Sequence, residues 1–237
     1  MDRKVCIYHF TDRSENRPIV YQKQVNRLVE FGKKYGEVKG IFVDKSLRLS
    51  EQINKKQLFT NIGSYDVLVT KDFYHINVHT GACISNLKEF LKEGVPTYTL
   101  EDGRFEFTEA PYNEFLKVAI YHSKFVETKK EATIKRGNAI SIETYINIMK
   151  YFIKTKTNWS VEDVYVDEAD GQQDEKQIEL LKLIRNRENY DLIVVKDFNT
   201  VHWRTAKFCN RRNNLQRGIF SLKEGYLPYM EDEHYEK

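Results

Sequence analysis

Cysteine is scarce in this sequence. Cys6, Cys83 and Cys209 are the only three in 237 residues, and no two form a Cys-x-x-Cys pair. That spacing argues against a disulfide framework or a zinc site, and it fits a reducing cytosol. Long apolar runs are missing too, and with 31 % charged residues no membrane span or membrane partner is expected. No signal-peptide pattern is present: Met1, Asp2, Arg3 and Lys4 lead straight into a strand-like run. Strong charge of one sign is also lacking. The net charge of +3 is too small to demand nucleic acid, although it leaves room for a local basic patch. What the chain does have is 41 % hydrophobic residues, enough for one large domain or two small ones.

It also has an internal repeat. Val5-Cys6-Ile7-Tyr8-His9 recurs as Val118-Ala119-Ile120-Tyr121-His122. Gly40-Ile41-Phe42-Val43-Asp44 recurs as Asp163-Val164-Tyr165-Val166-Asp167. Tyr65-Asp66-Val67-Leu68-Val69-Thr70-Lys71-Asp72-Phe73 recurs as Tyr190-Asp191-Leu192-Ile193-Val194-Val195-Lys196-Asp197-Phe198. Leu91-Lys92-Glu93-Gly94-Val95, running to Leu100, pairs with Leu215-Gln216-Arg217-Gly218-Ile219, running to Leu222. Four blocks in one order indicate duplication. The shift is 113 positions from Lys4 to Lys117 and 125 from Lys71 to Lys196, so the second copy has gained about a dozen residues after its first strand. That polar stretch, near 127–140, reads as an enlarged, mobile loop.

Within each copy, short apolar runs alternate with helical periodicity. Residues 5–8 read as a strand buried on both faces. Val25, Leu28 and Val29 in one copy, and Tyr145, Ile148, Met149 and Phe152 in the other, line one face of a first helix. Strands follow at 41–43 and 164–166, second helices near 52–61 and 176–187, third strands at 67–70 and 192–195, then a helix and a last strand. Ile178, Leu181 and Ile184 are again helically spaced. The expected fold class is α/β: two tandem three-layer domains, each a mainly parallel sheet flanked by helices. The domains are expected at 1–108 and 112–237, divided near the proline-bearing "FTEAPYN" at 107–113.

With these blocks in this order, each copy resembles the catalytic domain of serine recombinases, the resolvase/invertase family. "SIETYINIMKYF" is similar to the family's first helix, and "VEDVYVDEADG" to its second strand and acidic turn. "IELLKLIRNRENYDLIVVKD" is similar to its second helix and third strand, and "RGIFSL" to its closing step. The resemblance implies resolvase-like domains. It does not carry the chemistry over. In the family the first strand ends in tyrosine, then, at alternate positions, an arginine and the nucleophilic serine. Aligned on Tyr8 those places are Phe10 and Asp12; aligned on Tyr121 they are Ser123 and Phe125. Attack on a DNA phosphate needs a nest of arginines around an anionic transition state. Lys71 and Lys196 remain, but the arginines do not. The acidic end "MEDEHYEK" has the wrong sign for phosphates and is too short for a DNA-binding module.

No catalytic residue is therefore assigned, and no cofactor or metal is expected. The candidate remnant contacts are His9, Asp12, Lys71, His122, Ser123 and Lys196. His9 and His122 end a first strand, where open α/β sheets bind ligands, although hydrogen-bonded, half-buried histidines would look the same in sequence. Ser123 and Thr11 lie on the wrong side of an extended chain to act as nucleophiles. His75, His79 and Cys83 stand at intervals of four, a zinc-like stripe, but Thr200, Arg204 and Phe208 fill the matching places in the second copy. Asp44 and Asp167, the latter beside Glu168 and Asp170, read as polar turns after a strand. Lys33-Lys34, Lys55-Lys56, Lys129-Lys130, Lys154 with Lys156, and Arg211-Arg212 are interspersed with acids and read as solvated surface. Trp203, Phe208 and Tyr74 near them leave a stacking mode open.

The expected function is that of a catalytically inactive recombinase-like protein. It would act as an interaction or accessory module on a protein partner, a recombinase or another mobile-element or phage protein, and its two copies could pack as an internal pseudo-dimer. One alternative is a sequence-nonspecific DNA- or RNA-binding protein. A second is an enzyme with a rebuilt site at the carboxyl ends of the strands.

Overall fold

A computed structural model describes residues 3–11, 18–45, 52–123, 141–167 and 177–229. Asp12, Phe125, Lys129, Lys130, Glu168, Asp170, the expected loop near 127–140 and the acidic end lie outside the described residues. The chain forms two compact units: Met1–Val78 with Ala82–Phe105, and His79–Gly81 with Glu106–Lys237.

The first unit runs β1 (Lys4–Phe10), α1 (Pro18–Lys33), β2 (Glu37–Asp44), α2 (Ile53–Thr60), β3 (Val67–Thr70), α3 (Phe73–Ile76), α4 (Thr80–Lys92), β4 (Thr97–Thr99) and β5 (Gly103–Arg104). Its sheet has the order β2-β1-β3-β4-β5. All neighbours are parallel except β5, which pairs antiparallel with β4. The second unit runs β6 (Leu116–Ser123), α5 (Ile142–Lys154), β7 (Trp159–Asp167), α6 (Ile178–Arg185), β8 (Leu192–Val195), α7 (Thr205–Leu215), β9 (Gly218–Ser221) and β10 (Gly225–Leu227). Read from β7, its order is β7-β6-β8-β9-β10, with β10 alone antiparallel. The protein is thus α/β, with two mainly parallel sheets flanked by helices.

Strand alternation divides each core into two layers. Val5, Ile7, Val67 and Val69 face α1 and meet Leu28 and Phe31. The other face carries Tyr8, which meets Phe59 of α2 at 6.4 Å, and Phe59 in turn meets Phe90 of α4 at 4.7 Å. In the second unit Val118, Ile120, Leu192 and Val194 pack on Met149 and Ile153 of α5. Ser141 caps α5, accepting from the amide of Thr144 at 3.1 Å, and Glu143 and Lys154 suit the two ends of its dipole.

Three details differ from the sequence expectation. β2 and β7 begin earlier than their apolar runs, because exposed polar residues, Glu37 and Lys39 in one and Ser160, Glu162 and Asp163 in the other, interrupt their leading halves. In α6 the core face is Leu180 and Leu183, while Ile178 and Leu181 are exposed. The helix is apolar on both sides, so spacing alone did not choose the face. Finally, Gly94 does not pair with Gly218. Leu68 is registered with Thr97 and Ile193 with Ile219, which makes Gln216 the counterpart of Gly94. Both have positive φ, 76° and 50°.

Candidate functional site

In open parallel sheets, ligand crevices lie at the carboxyl ends of the strands where the strand order reverses. Here the reversal falls between β1 and β3, and again between β6 and β8. Five of the six candidate contacts, His9, Lys71, His122, Ser123 and Lys196, sit at or next to these ends, and the sixth, Asp12, lies outside the described residues.

In the first unit His9 is fully buried. Its ring stacks on His75 of α3 at 4.9 Å, and His75 stacks on Phe10 at 4.2 Å. Tyr21, in the first turns of α1, lies 6.5 Å from His9. Asp72 follows Lys71 and caps α3. Its Oδ1 accepts from the His75 amide at 3.1 Å and lies 2.7 Å from His75 Nδ1. Burial alone would raise the Asp72 pKa. The hydrogen bond and charge of His75, helped by Lys71, outweigh burial and hold it below the usual value.

The second unit builds a related cluster from fewer rings. His122 meets Tyr145 of α5 at 5.4 Å, and the Lys196 ammonium lies 4.5 Å from the centre of the same ring. Lys196 Nζ is also 3.4 Å from Asp197. Burial, then the charge of Lys196, lowers the His122 pKa, and Asp197 opposes this. Among the described residues, His122 Nδ1 has no hydrogen-bond partner. Ser123 is buried and donates its hydroxyl to the Thr200 carbonyl at 2.7 Å. Asp197 accepts from both the amide and the hydroxyl of Thr200, each at 3.0 Å.

Behind each cluster stands a tyrosine–aspartate pair. Tyr8 donates to Asp44 at 3.2 Å and Tyr121 to Asp167 at 3.0 Å. Asp44 also accepts the amides of Asn54 and Lys55 at 3.0 and 2.9 Å, and Asp167 those of Glu179 and Leu180 at 2.9 and 3.1 Å. Both carboxylates therefore hold the start of the second helix, from buried strand ends and not from the polar turns expected. Burial, then the neighbouring carboxylate, raises the pKa of both phenols.

Sequence reasoning missed two recurrent features. Tyr21 and Tyr145 face the strand-end histidines from the first helix, and the signal was a tyrosine four residues before a buried Val25 or Met149. The closing hairpins "LEDGR" and "LKEGY" also recur. In them Gly103 and Gly225 take φ of 75° and 89°, and the preceding acid reaches back to the cluster. Asp102 accepts from the Phe73 amide at 2.9 Å, and Glu224 from that of Phe198 at 3.2 Å.

The zinc-like stripe is not a stripe. His75 belongs to α3, His79 precedes α4 and falls in the other compact unit, and Cys83 donates to the Phe73 carbonyl at 3.4 Å. Among the described residues, no group of three metal-binding side chains forms. The solvated-surface reading of the basic runs fails at Lys55 and Arg212, which are buried. Arg212 donates to the Pro228 carbonyl at 3.1 Å. Burial pushes the Lys55 ammonium down to about 8. Phe208 is buried as well, and Trp203 stacks under Arg204 at 4.7 Å. Among the described residues, no helix is long and apolar enough to cross a membrane.

No family model matches the chain, and no curated protein matches it. Solved structures do match. One is the C-terminal catalytic domain of ISC1926 TnpA, an IS607-like serine recombinase. It is 18 % identical, with a TM-score of 0.34 over 45 % of this chain and 70 % of that one. A periplasmic solute-binding protein of Actinobacillus succinogenes with bound D-allose is 9 % identical, with a TM-score of 0.29 over 92 % of this chain and 77 % of that one. A Caulobacter myo-inositol binding protein gives 9 % and 0.28 over 92 % and 74 %.

Proposed function

We propose that the chain is a non-enzymatic interaction module built from two degenerate resolvase-like domains, and that it acts on a protein partner. The observation that carries this reading is the state of Ser123. This strand-end hydroxyl is buried and donates to a backbone carbonyl, so it is not presented to a substrate. The surrounding charge points the same way. Phosphoryl transfer needs a cationic nest, but Lys71 and Lys196 each adjoin an aspartate that caps the following turn. In the first unit the stacked rings of Phe10, His75 and His9 occupy the strand ends.

The test is incubation of the purified protein with labelled double- and single-stranded DNA and RNA at low and near-physiological salt, followed by a denaturing gel. The expected result is no covalent adduct and no cleavage, with any retention lost as salt rises. An adduct would overturn the reading. Tight, salt-resistant retention would replace the protein partner with a nucleic acid.

A further inference from the structure

Tyr98 sits at the centre of β4, registered with Val69 of β3 on one side and Arg104 of β5 on the other. Tyr35 stands in the tight turn between α1 and β2, where its amide donates to the Gly32 carbonyl at 2.9 Å. Strand pairing and turn thus fix both backbones. The two rings stack with their centres 4.0 Å apart and 26° between their planes. Aromatic pairs usually stand ~4.5–7 Å apart. At 4.0 Å the ring carbons of the two phenols are in van der Waals contact. Arg104 donates to the Tyr98 oxygen at 3.2 Å, and its guanidinium lies 5.2 Å from the ring centre. Both tyrosines are half-buried, open enough for a small oxidant.

The second unit repeats the packing without the hydroxyls. Beside Val194, at the register place of Tyr98, stands Phe220, and Phe152 stacks on it at 4.9 Å. Filling this space therefore needs two rings but not two phenols. Among the described residues Tyr165 and Tyr190 also approach each other, but edge to face at 6.1 Å. Both are buried, and the Tyr190 phenol donates to Asp163. That pair has neither the ring overlap nor the access of Tyr35 and Tyr98.

We propose that Tyr35 and Tyr98 form an oxidative modification site, which hydrogen peroxide acting through a haem peroxidase closes into a dityrosine link between the α1–β2 turn and β4. Each phenol loses one electron and its hydroxyl proton and becomes a neutral tyrosyl radical. The two radicals pair in a new bond between ring carbons ortho to the oxygens. The hydrogen on each of those carbons then moves to oxygen, and both phenols re-form. Two C–H bonds are lost and one C–C bond is gained. The two electrons and two protons reduce one peroxide to two waters. The stack removes the step that limits such couplings elsewhere, the meeting of two radicals. The link closes a long loop and restricts the unfolded chain as a disulfide does.

The test is treatment of the full-length protein with a haem peroxidase and hydrogen peroxide, followed by tryptic digestion and mass spectrometry. The expected product is a peptide pair joined through Tyr35 and Tyr98, lighter than its two parts by two hydrogens. It should carry the blue fluorescence of dityrosine. It should form at a rate independent of protein concentration, in monomer by denaturing gel, and the linked protein should unfold at higher urea. Tyr35→Phe and Tyr98→Phe should each abolish this pair, with circular dichroism checking that the variants fold. Protein oxidised in urea should lose the preference, because the stack is then gone. Dityrosine that maps to other tyrosines, or that arises only between chains, overturns the proposal. So does exposed Tyr151 being consumed while Tyr35 and Tyr98 stay unlinked.

Discussion

Lys55 and Leu180 stand at the same place in the two units, each donating its amide to the aspartate at the end of the second strand. One is a cation and the other an apolar residue, and both are buried. Burial lowers the Lys55 pKa from 10.5 to about 8. Below about 8 the ammonium is charged in folded and unfolded chains alike, and the fold bears the whole desolvation cost. The cost fades as pH rises toward 10.5. Lys55→Leu should therefore stabilise the first unit at pH 7, by about 1–3 kcal/mol, and the gain should shrink above pH ~9. Urea unfolding at pH 7 and pH 10 checks both. His122 follows the same sign in a lower pH window. Its folded pKa lies below the ordinary 6.5, so its contribution is intact above 6.5 and is lost as pH falls below it, where the unfolded chain takes up the proton first. Asp72, whose pKa is also lowered, loses its contribution only as pH falls below its unfolded value of 3.8. His122→Gln should flatten the loss of stability between pH 7.5 and 5.5 and leave the steeper acid limb in place, as urea midpoints would show.

Among the elements, the joint between second strand and second helix is the most stringent. Asp167 accepts three donors, from Tyr121, Glu179 and Leu180. Asp167→Ala leaves a buried phenol and two helix-start amides unpaired and should cost about 2–4 kcal/mol. Asp167→Asn retains one acceptor oxygen and should cost about half as much. Chemical denaturation of the three proteins tests the order. The strand–helix alternation was legible in the sequence because buried parallel strands are short apolar runs and the helices between them are periodic. The face of α6 was not, because Ile178 and Leu181 match the helical period as well as Leu180 and Leu183 do. The strand-end candidates were legible through repetition: His9 with His122 and Lys71 with Lys196. What filled the space around them was not. Tyr21 and His75 approach from elements distant in sequence, and a ring stack leaves no spacing to read. Lys55 and Arg212 were misread because charge predicts exposure, and only their position in the fold overrules it.

For the whole molecule, each unit carries its own core, one centred on Leu28 and Phe31, the other on Met149 and Ile153. Leu28→Ala removes a fully buried side chain and should cost the first unit about 2–5 kcal/mol. Hydrogen exchange should then quicken at the amides of β1 and β3, the strands that Leu28 covers.

The tyrosine–aspartate pairs have a further, optical consequence. The sequence holds 15 tyrosines, and in Tyr8 and Tyr121 burial and a carboxylate acceptor oppose formation of phenolate. Tyr190 is held up in the same way, donating to Asp163 at 2.5 Å. Phenolate absorbs near 295 nm and phenol does not. In an alkaline titration these three rings should stay dark while exposed tyrosines such as Tyr151 turn on. They should appear together only when the fold gives way, so the late step in absorbance would report loss of the sheets without any added label.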